Sequence, residues 1–156
     1  MSLDEIQAIE AADAAAEERP QAQAILASEA TSLVHGEEGL NAALRITEAL
    51  FSGNPVDLSE SDLKQLSQDG LPFSRLSNSD LVDKPLTNLL AAAGMVKAGR
   101  EVKDALARNS VFINGVAKGS QDNMGASSSL AAEHALYGRF FLVRLGKKKY
   151  HLFELI

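Results

Sequence analysis

The sequence predicts an α+β fold: an α-helical N-terminal segment followed by a small domain with a short, mostly antiparallel sheet. Three observations carry this reading. Residues 86–118, LTNLLAAAGMVKAGREVKDALARNSVFINGVAK, place two helical patterns, a strand and an Asn-Gly turn within one short stretch. Near the C-terminus, RFFLVRL at 139–145 and KYHLFEL at 149–155 are two β-rich runs flanking Gly146-Lys147-Lys148, a hairpin with a lysine-loaded tip. Between residues 37 and 51, apolar residues recur at the spacing of one helix face. The expected organisation is a helical segment over 1–56, a linker over 57–80 and the α+β domain over 81–156.

In order, residues 3–18 are rich in Ala and Glu, with Leu3, Ile6 and Ile9 in a loose stripe, so this helix is marginal without a partner. Pro20 can open a second helix that carries Ile25, Leu26, Leu33 and Val34 as far as the stop at Gly36. A third helix runs from Glu37 to Phe51 on Leu40, Ala43, Leu44, Thr47, Leu50 and Phe51, and Gly53-Asn54-Pro55 ends it. Ser59 to Asp62 before Leu63 and Leu66 predicts a capped short helix stopping at Gly70, and 71–80 reads as turn-rich connection. Leu86, Leu89, Leu90 and Met95 or Val96 mark a buried helix stripe closed by Gly94, and 100–109 a helix with Val102, Ala105 and Leu106 inward. Val111 to Ile113 is a strand, Asn114-Gly115 a hairpin turn, and 119–129 a long loop.

The 156 residues, 46% hydrophobic, can bury a core. No run of 18 apolar residues occurs and the acidic start, Met1 to Glu5, lacks a signal peptide's basic end, so a cytoplasmic location is expected. There is no cysteine, and His35, His134 and His151 lie far apart, which argues against a thiol nucleophile or a metal site. The net charge of −6 conceals an asymmetry: residues 1–85 hold 5 Lys/Arg against 16 Asp/Glu, whereas 86–156 hold 10 against 5. A basic half coinciding with the compact unit and the lysine tip is the footprint of a surface that meets a polyanion, set against an ordinary solvated face.

Lys97, Arg100, Lys103 and Arg108 are read as sharing an outward helix face suited to phosphates. Tyr137, Phe140, Phe141 and Tyr150 are assigned to the core rather than to base stacking, because the chain has few aromatics. His35 is read as capping a helix end, and His134 and His151 as structural or surface residues without a nucleophile beside them. Asp57, Glu60, Asp62 and Asp69 cluster, but in linker and first-turn positions that suit a solvated surface better than hydrolysis.

Taken together, LVHGEEGLNAALRITEALFSG at 33–53, the unit at 86–118 and GRFFLVRLGKKKYHLFEL at 138–155 resemble the C-terminal third of bacterial tyrosyl-tRNA synthetases. The His-Gly-Glu-Glu-Gly helix resembles the end of that family's helical domain, and residues from about 81 onward resemble its RNA-binding module of the ribosomal-protein S-four type, or alpha-L fold. The resemblance implies a module that grips tyrosine tRNA by its long variable arm and anticodon stem. Chemistry would belong to a nucleotide-binding domain holding ATP and tyrosine, through which the parent would form a homodimer. No HIGH-type or KMSKS-type signature occurs in this sequence, so no catalytic residue, cofactor or metal is assigned to it. By the same match, Lys97, Arg100, Lys103, Arg108 and Asn109 fall on the family's basic helix region, Asn114 on its strand turn, and Arg144 with Lys147, Lys148 and Lys149 on its basic hairpin; Lys118 joins the implied RNA-binding set. Family members often place Ser-Arg where this chain has Ala98-Gly99. A free-standing S-four-type binder of ribosomal or other structured RNA, or a protein-interaction domain without RNA, are the alternatives that salt-dependent tRNA binding would separate.

Overall fold

The computed structural model describes residues 2–15, 20–51 and 54–156; the predicted helix end at 16–18, the Gly53 stop and the Asp69 side chain lie outside the described residues. The chain divides into two compact units, Met1–Thr47 and Glu48–Ile156. In the first, α1 spans Leu3–Ala15 and buries no residue. Helix α2, Ala22–Phe51, starts here and is interrupted at Gly36 (φ 71°, ψ 179°), so the predicted stop survives as a break between two helical stretches. The Asp13 carboxylate accepts the backbone N–H groups of Gln21 and Ala22 at 2.7 and 2.9 Å, satisfying donors that a helix start leaves unpaired. Leu3, Leu26, Leu33 and Val34 remain well exposed.

The second unit is built on one five-stranded sheet. Its strands are β1 (Phe73–Leu76), β2 (Val111–Ile113), β3 (Val116–Lys118), β4 (Phe140–Leu145) and β5 (Lys149–Leu155). They lie in the order β1-β5-β4-β2-β3, antiparallel except for the parallel pair β1-β5. The helices are α3 (Glu60–Gln65), α4 (Asn78–Leu81), α5 (Leu86–Ala92), α6 (Gly99–Ala107) and α7 (Ala126–Ser129). The architecture is thus α+β with a mostly antiparallel sheet, as the sequence predicts.

Side chains of a strand alternate between faces, and β4 and β5 are buried on both. On one face Phe141, Val143 and Phe153 join Val111, Ile113, Leu86, Leu90, Val102 and Leu106 in a single core cluster under α5 and α6. Each such apolar side chain contributes about 1.5–3 kcal/mol by leaving water. On the other face Phe140, Leu142 and Leu152 are equally buried. The chain from Leu50 to Leu66 supplies that cover. Tyr150 donates its hydroxyl to the Leu50 carbonyl, Tyr137 donates to the Leu58 carbonyl at 2.9 Å, and Arg139 pairs with Glu60 at 3.1 Å. Residues 57–80, read from the sequence as a linker with a turn-rich end, therefore hold a layer and a strand: Leu58, Leu63, Leu66 and Leu76 are 0–6% exposed. The turn signals of this stretch are real, but a few apolar side chains at long range outweigh them. Asp62, grouped with solvated carboxylates in the sequence, is buried as half of a capping box with Ser59.

Local chemistry sets the helix ends and turns where the sequence places them. Helix α5 stops at Gly94 (φ 76°), where Gly94 N–H bonds the Ala91 carbonyl and Met95 N–H the Leu90 carbonyl, a Schellman closure. Helix α6 ends the same way with Asn109 in the left-handed position (φ 50°), Asn109 N–H bonding Leu106 and Ser110 N–H bonding Ala105. Between β2 and β3, Asn114 and Gly115 both take positive φ (49° and 82°), the type I′ requirement.

His151 on β5 is 3% exposed, with its Nε2 2.9 Å from Ser74 Oγ on β1. Burial holds its pKa below the ordinary 6.5. The unfolded chain therefore takes up the proton first as pH falls. The stability tied to neutral His151 is complete above the unfolded value and is lost as pH drops through the lowered folded value. The expected result is a fall in urea midpoint as pH drops below the ordinary 6.5 that is smaller in His151→Gln. Parallel pH profiles for the two proteins would refute this.

Candidate nucleic-acid interface

Charge in the second unit is sorted by the fold into neutralised and unpaired sets. Arg75, Arg139, Glu60 and Glu154 form a connected network, with Arg75–Glu154 at 3.2 Å, Arg139–Glu60 at 3.1 Å and Arg139–Glu154 at 3.4 Å. Lys64 also meets Glu60 at 3.1 Å, and these cations keep the Glu60 carboxyl below the usual carboxylate range. Lys97, Arg100, Lys103, Lys147 and Lys148 have no ion-pair partner among the described residues and are exposed. A polyanion would meet the second set.

The second set is gathered around α6. That helix buries Val102, Ala105 and Leu106 against the sheet, which forces its polar residues outward. Lys149 Nζ lies 3.7 Å from Glu101 Oε2 in the first turn of α6, and Gly146 N–H donates to the Ser110 carbonyl just past its end. The β4-β5 tip therefore lies along the α6 flank that bears Glu101. Arg108, which also donates its Nε to the Asp104 carbonyl at 3.2 Å, shares that flank.

Lys103 lies elsewhere. It is five positions before Arg108, and at 3.6 residues per turn the two diverge by about 140° around the axis. The single shared face expected from the sequence is therefore two flanks with Arg100 between them. On the second flank Arg100 and Lys103, with Thr87, Asn88, Asp104 and Asn123, line an open groove of about 590 Å³ between the starts of α5 and α6. Asn123 closes the start of α5, which has no side-chain cap of its own: its carbonyl accepts from Leu86 N–H at 2.7 Å and its Oδ1 from Thr87 N–H at 3.0 Å. Sequence reasoning missed Thr87, Asn88 and Asn123, and only the loop position of Asn123 hinted at it. Gly99 sits where α6 passes α5; an added Cβ would stand 3.4 Å from the Thr87 carbonyl oxygen.

Other expected contact residues fall outside this surface. The Asn114 side chain is buried and committed twice, donating Nδ2 to the His134 carbonyl at 2.9 Å and accepting Leu142 N–H on Oδ1 at 2.8 Å. Its side chain is thus a strut of the sheet. Asn109 serves the end of α6, and Lys118 lies half-buried on edge strand β3. Arg144 lies one residue from the end of β4, its guanidinium carbon 4.1 Å from the Phe112 ring centre. The aromatic assignments agree with burial for Phe140, Phe141 and Tyr150, whereas Tyr137 is about half exposed. Among the described residues there is no group of three His, Cys, Asp or Glu able to hold a metal ion, and no helix long and apolar enough to cross a membrane.

Residues 62–153 match the model of the tyrosine–tRNA ligase SYY-like C-terminal domain. The chain is 47% identical over 146 residues to a tyrosine–tRNA ligase of Dechloromonas aromatica, covering 92% of this chain and 32% of that protein. It is 43% identical over 152 residues to tyrosine–tRNA ligase 1 of Vibrio parahaemolyticus, covering 97% and 33%. A solution structure of a tyrosyl-tRNA synthetase C-terminal domain aligns over 69% of this chain and 100% of that one, at 31% identity and a TM-score of 0.45. The chain spans about a third of the length of the curated relatives it matches.

Proposed function

Since this chain belongs to the tyrosine–tRNA ligase family through its SYY-like C-terminal domain, we propose that it is a tRNA-gripping part of such a ligase. It holds tyrosine tRNA by the long variable arm and anticodon stem, in the cytoplasm. ATP and tyrosine are held elsewhere in the ligase, whose subunits pair outside these residues. The observation that supports the tRNA reading best is the gathering of unpaired cations on both flanks of α6, brought together by the 3.7 Å approach of Lys149 to Glu101. A helix bearing cations on two sides, with an exposed lysine tip beside it, suits backbone recognition of a shaped RNA, where phosphate contacts position the protein and shape selects the partner. A free-standing binder of ribosomal RNA is the weaker reading, because the relatives matched over almost the whole chain are ligases.

The test is filter binding of this chain to tyrosine tRNA and to a tRNA lacking the long arm, each over a salt series. Preference for the long-armed tRNA supports the reading, and equal binding of both removes the variable arm from it. Replacing Lys147, Lys148 and Lys149 together by Ala is expected to weaken binding to both RNAs alike. The slope of log affinity against log salt should flatten by roughly 0.7–0.9 for each phosphate no longer neutralised. Unchanged affinity and slope would leave the tip an ordinary solvated loop.

A further inference from the structure

Arg144 stacks on a ring and has no ion pair among the described residues. Arg139 also stacks on a ring, Phe140 at 4.7 Å, and also has a buried Nε without an acceptor, but it is ion-paired to Glu60 and Glu154, which sets it apart from Arg144. Arg144 stands in a cross-strand row on β2, β4 and β5, with Phe112 opposite it on one side and Tyr150 on the other. Residues directly opposite in antiparallel strands are close enough to interact, and Arg144 stacks on Phe112 at 4.1 Å. It has no carboxylate partner, and its buried Nε has no acceptor, among the described residues. The guanidinium is thus held by a ring face and by no ion pair, an arrangement that keeps its charge and its hydrogen-bonding edge for something else.

The surroundings form a small chamber. The row lies on the sheet face that described residues between Leu50 and Leu66 cover, where Asn54 and Pro55 lie against Gly115 of the β2-β3 turn. Beside them is an opening of about 280 Å³, with Leu142 beneath it and Phe112, Arg144 and Tyr150 along it. Leu142 is fully buried and the Tyr150 hydroxyl is committed to the Leu50 carbonyl, so both are fixed. The volume falls below the roughly 300–1,000 Å³ of sites for whole small-molecule ligands. Its apolar floor, flat stacked cation and aromatic walls suit one planar, hydrogen-bonding ring.

We infer that the chamber formed by Phe112, Arg144 and Tyr150 is a subsite for a single unpaired nucleobase of the bound RNA. The base stacks on the guanidinium face opposite Phe112 and accepts hydrogen bonds from the guanidinium edge. Single-stranded bases are recognised by such stacking on aromatic rings and Arg planes. This rests on the tRNA reading above and adds to it a base-contacting site apart from the phosphate-facing cations around α6. The neutral, stacked surroundings distinguish Arg144 from Lys147 and Lys148, whose exposed ammonium groups can serve any phosphate.

The probes are a short single-stranded oligoadenylate and an abasic phosphodiester of the same length and charge, titrated into the isotope-labelled chain by NMR. The oligoadenylate is expected to shift the Arg144 Nε–Hε and Phe112 ring signals, whereas the abasic strand shifts only the Lys147 and Lys148 region. Arg144→Lys, which keeps the charge and loses the plane, and Phe112→Leu, which keeps an apolar strand residue, should each weaken oligoadenylate binding roughly fivefold or more. Abasic-strand binding should be unchanged, with thermal unfolding confirming that both variants fold. Equal shifts at Arg144 from both probes would make it a phosphate contact and overturn the subsite. Shifts around α6 without any at Arg144 would also overturn it while leaving the tRNA reading intact. If neither the probes nor tyrosine tRNA bind at all, both readings fail together.

Discussion

Arg100→Glu combined with Lys103→Glu is expected to lower affinity for tyrosine tRNA about 100-fold at moderate salt. Both residues line the groove between the starts of α5 and α6 and have no ion-pair partner among the described residues, so both are available to phosphate oxygens. A hydrogen bond to a charged group contributes about 1.5–3 kcal/mol, and removing two such bonds at the lower figure gives about two decades in affinity. Thermal unfolding should hardly move, because exposed charges contribute about 0–1 kcal/mol to stability. Filter binding paired with a melting curve checks this directly. A double variant that melts normally and binds like the parent would place the recognition surface away from the groove. One that binds only in proportion to its folded fraction would make the pair structural.

Leu63→Ala is expected to destabilise the second unit by about 2–5 kcal/mol, the usual cost of truncating a fully buried leucine. Leu63 is 0% exposed in α3, within the stretch the sequence alone presents as connection. By contrast Leu26→Ala, at a residue 67% exposed in the first unit, should stay within about 0.5 kcal/mol of the parent. Urea titration at neutral pH measures both. If Leu63→Ala unfolds at the parent's midpoint, the 57–70 stretch contributes nothing to the sheet's stability and can be treated as a tether. A loss of the expected size also predicts that truncations beginning at residue 81 expose Phe140, Leu142 and Leu152 and aggregate.

Different parts of the site were legible to different degrees. The basic half of the chain, the two cation-bearing elements and their helix and hairpin settings could be read directly, because charge and turn chemistry are local properties. The division of α6 into two flanks needed only the helical angle between Lys103 and Arg108, yet which flank meets the lysine tip depends on the path of β4 and β5. Asn114 shows the opposite limit. Its residue type announces a turn, and the turn is there, but nothing local reveals that Leu142 and His134 claim both ends of its side chain.

What the sequence determined by itself was every feature written in neighbouring residues. These are the Gly94 helix end, the Ser59–Asp62 capping box, the Asn114-Gly115 turn, and the two long C-terminal strands with their lysine tip. Each is set by backbone sterics or a hydrogen bond spanning a few residues. The tertiary structure alone decided the parallel pairing of Phe73–Leu76 with β5, the burial of Leu58, Leu63 and Leu66 over the second sheet face, and the stacking of Arg144 on Phe112. Phe73 pairs with Leu152 across most of the unit. No local preference signals such a contact, because its free energy comes from apolar area removed from water by residues that meet only once the chain has folded.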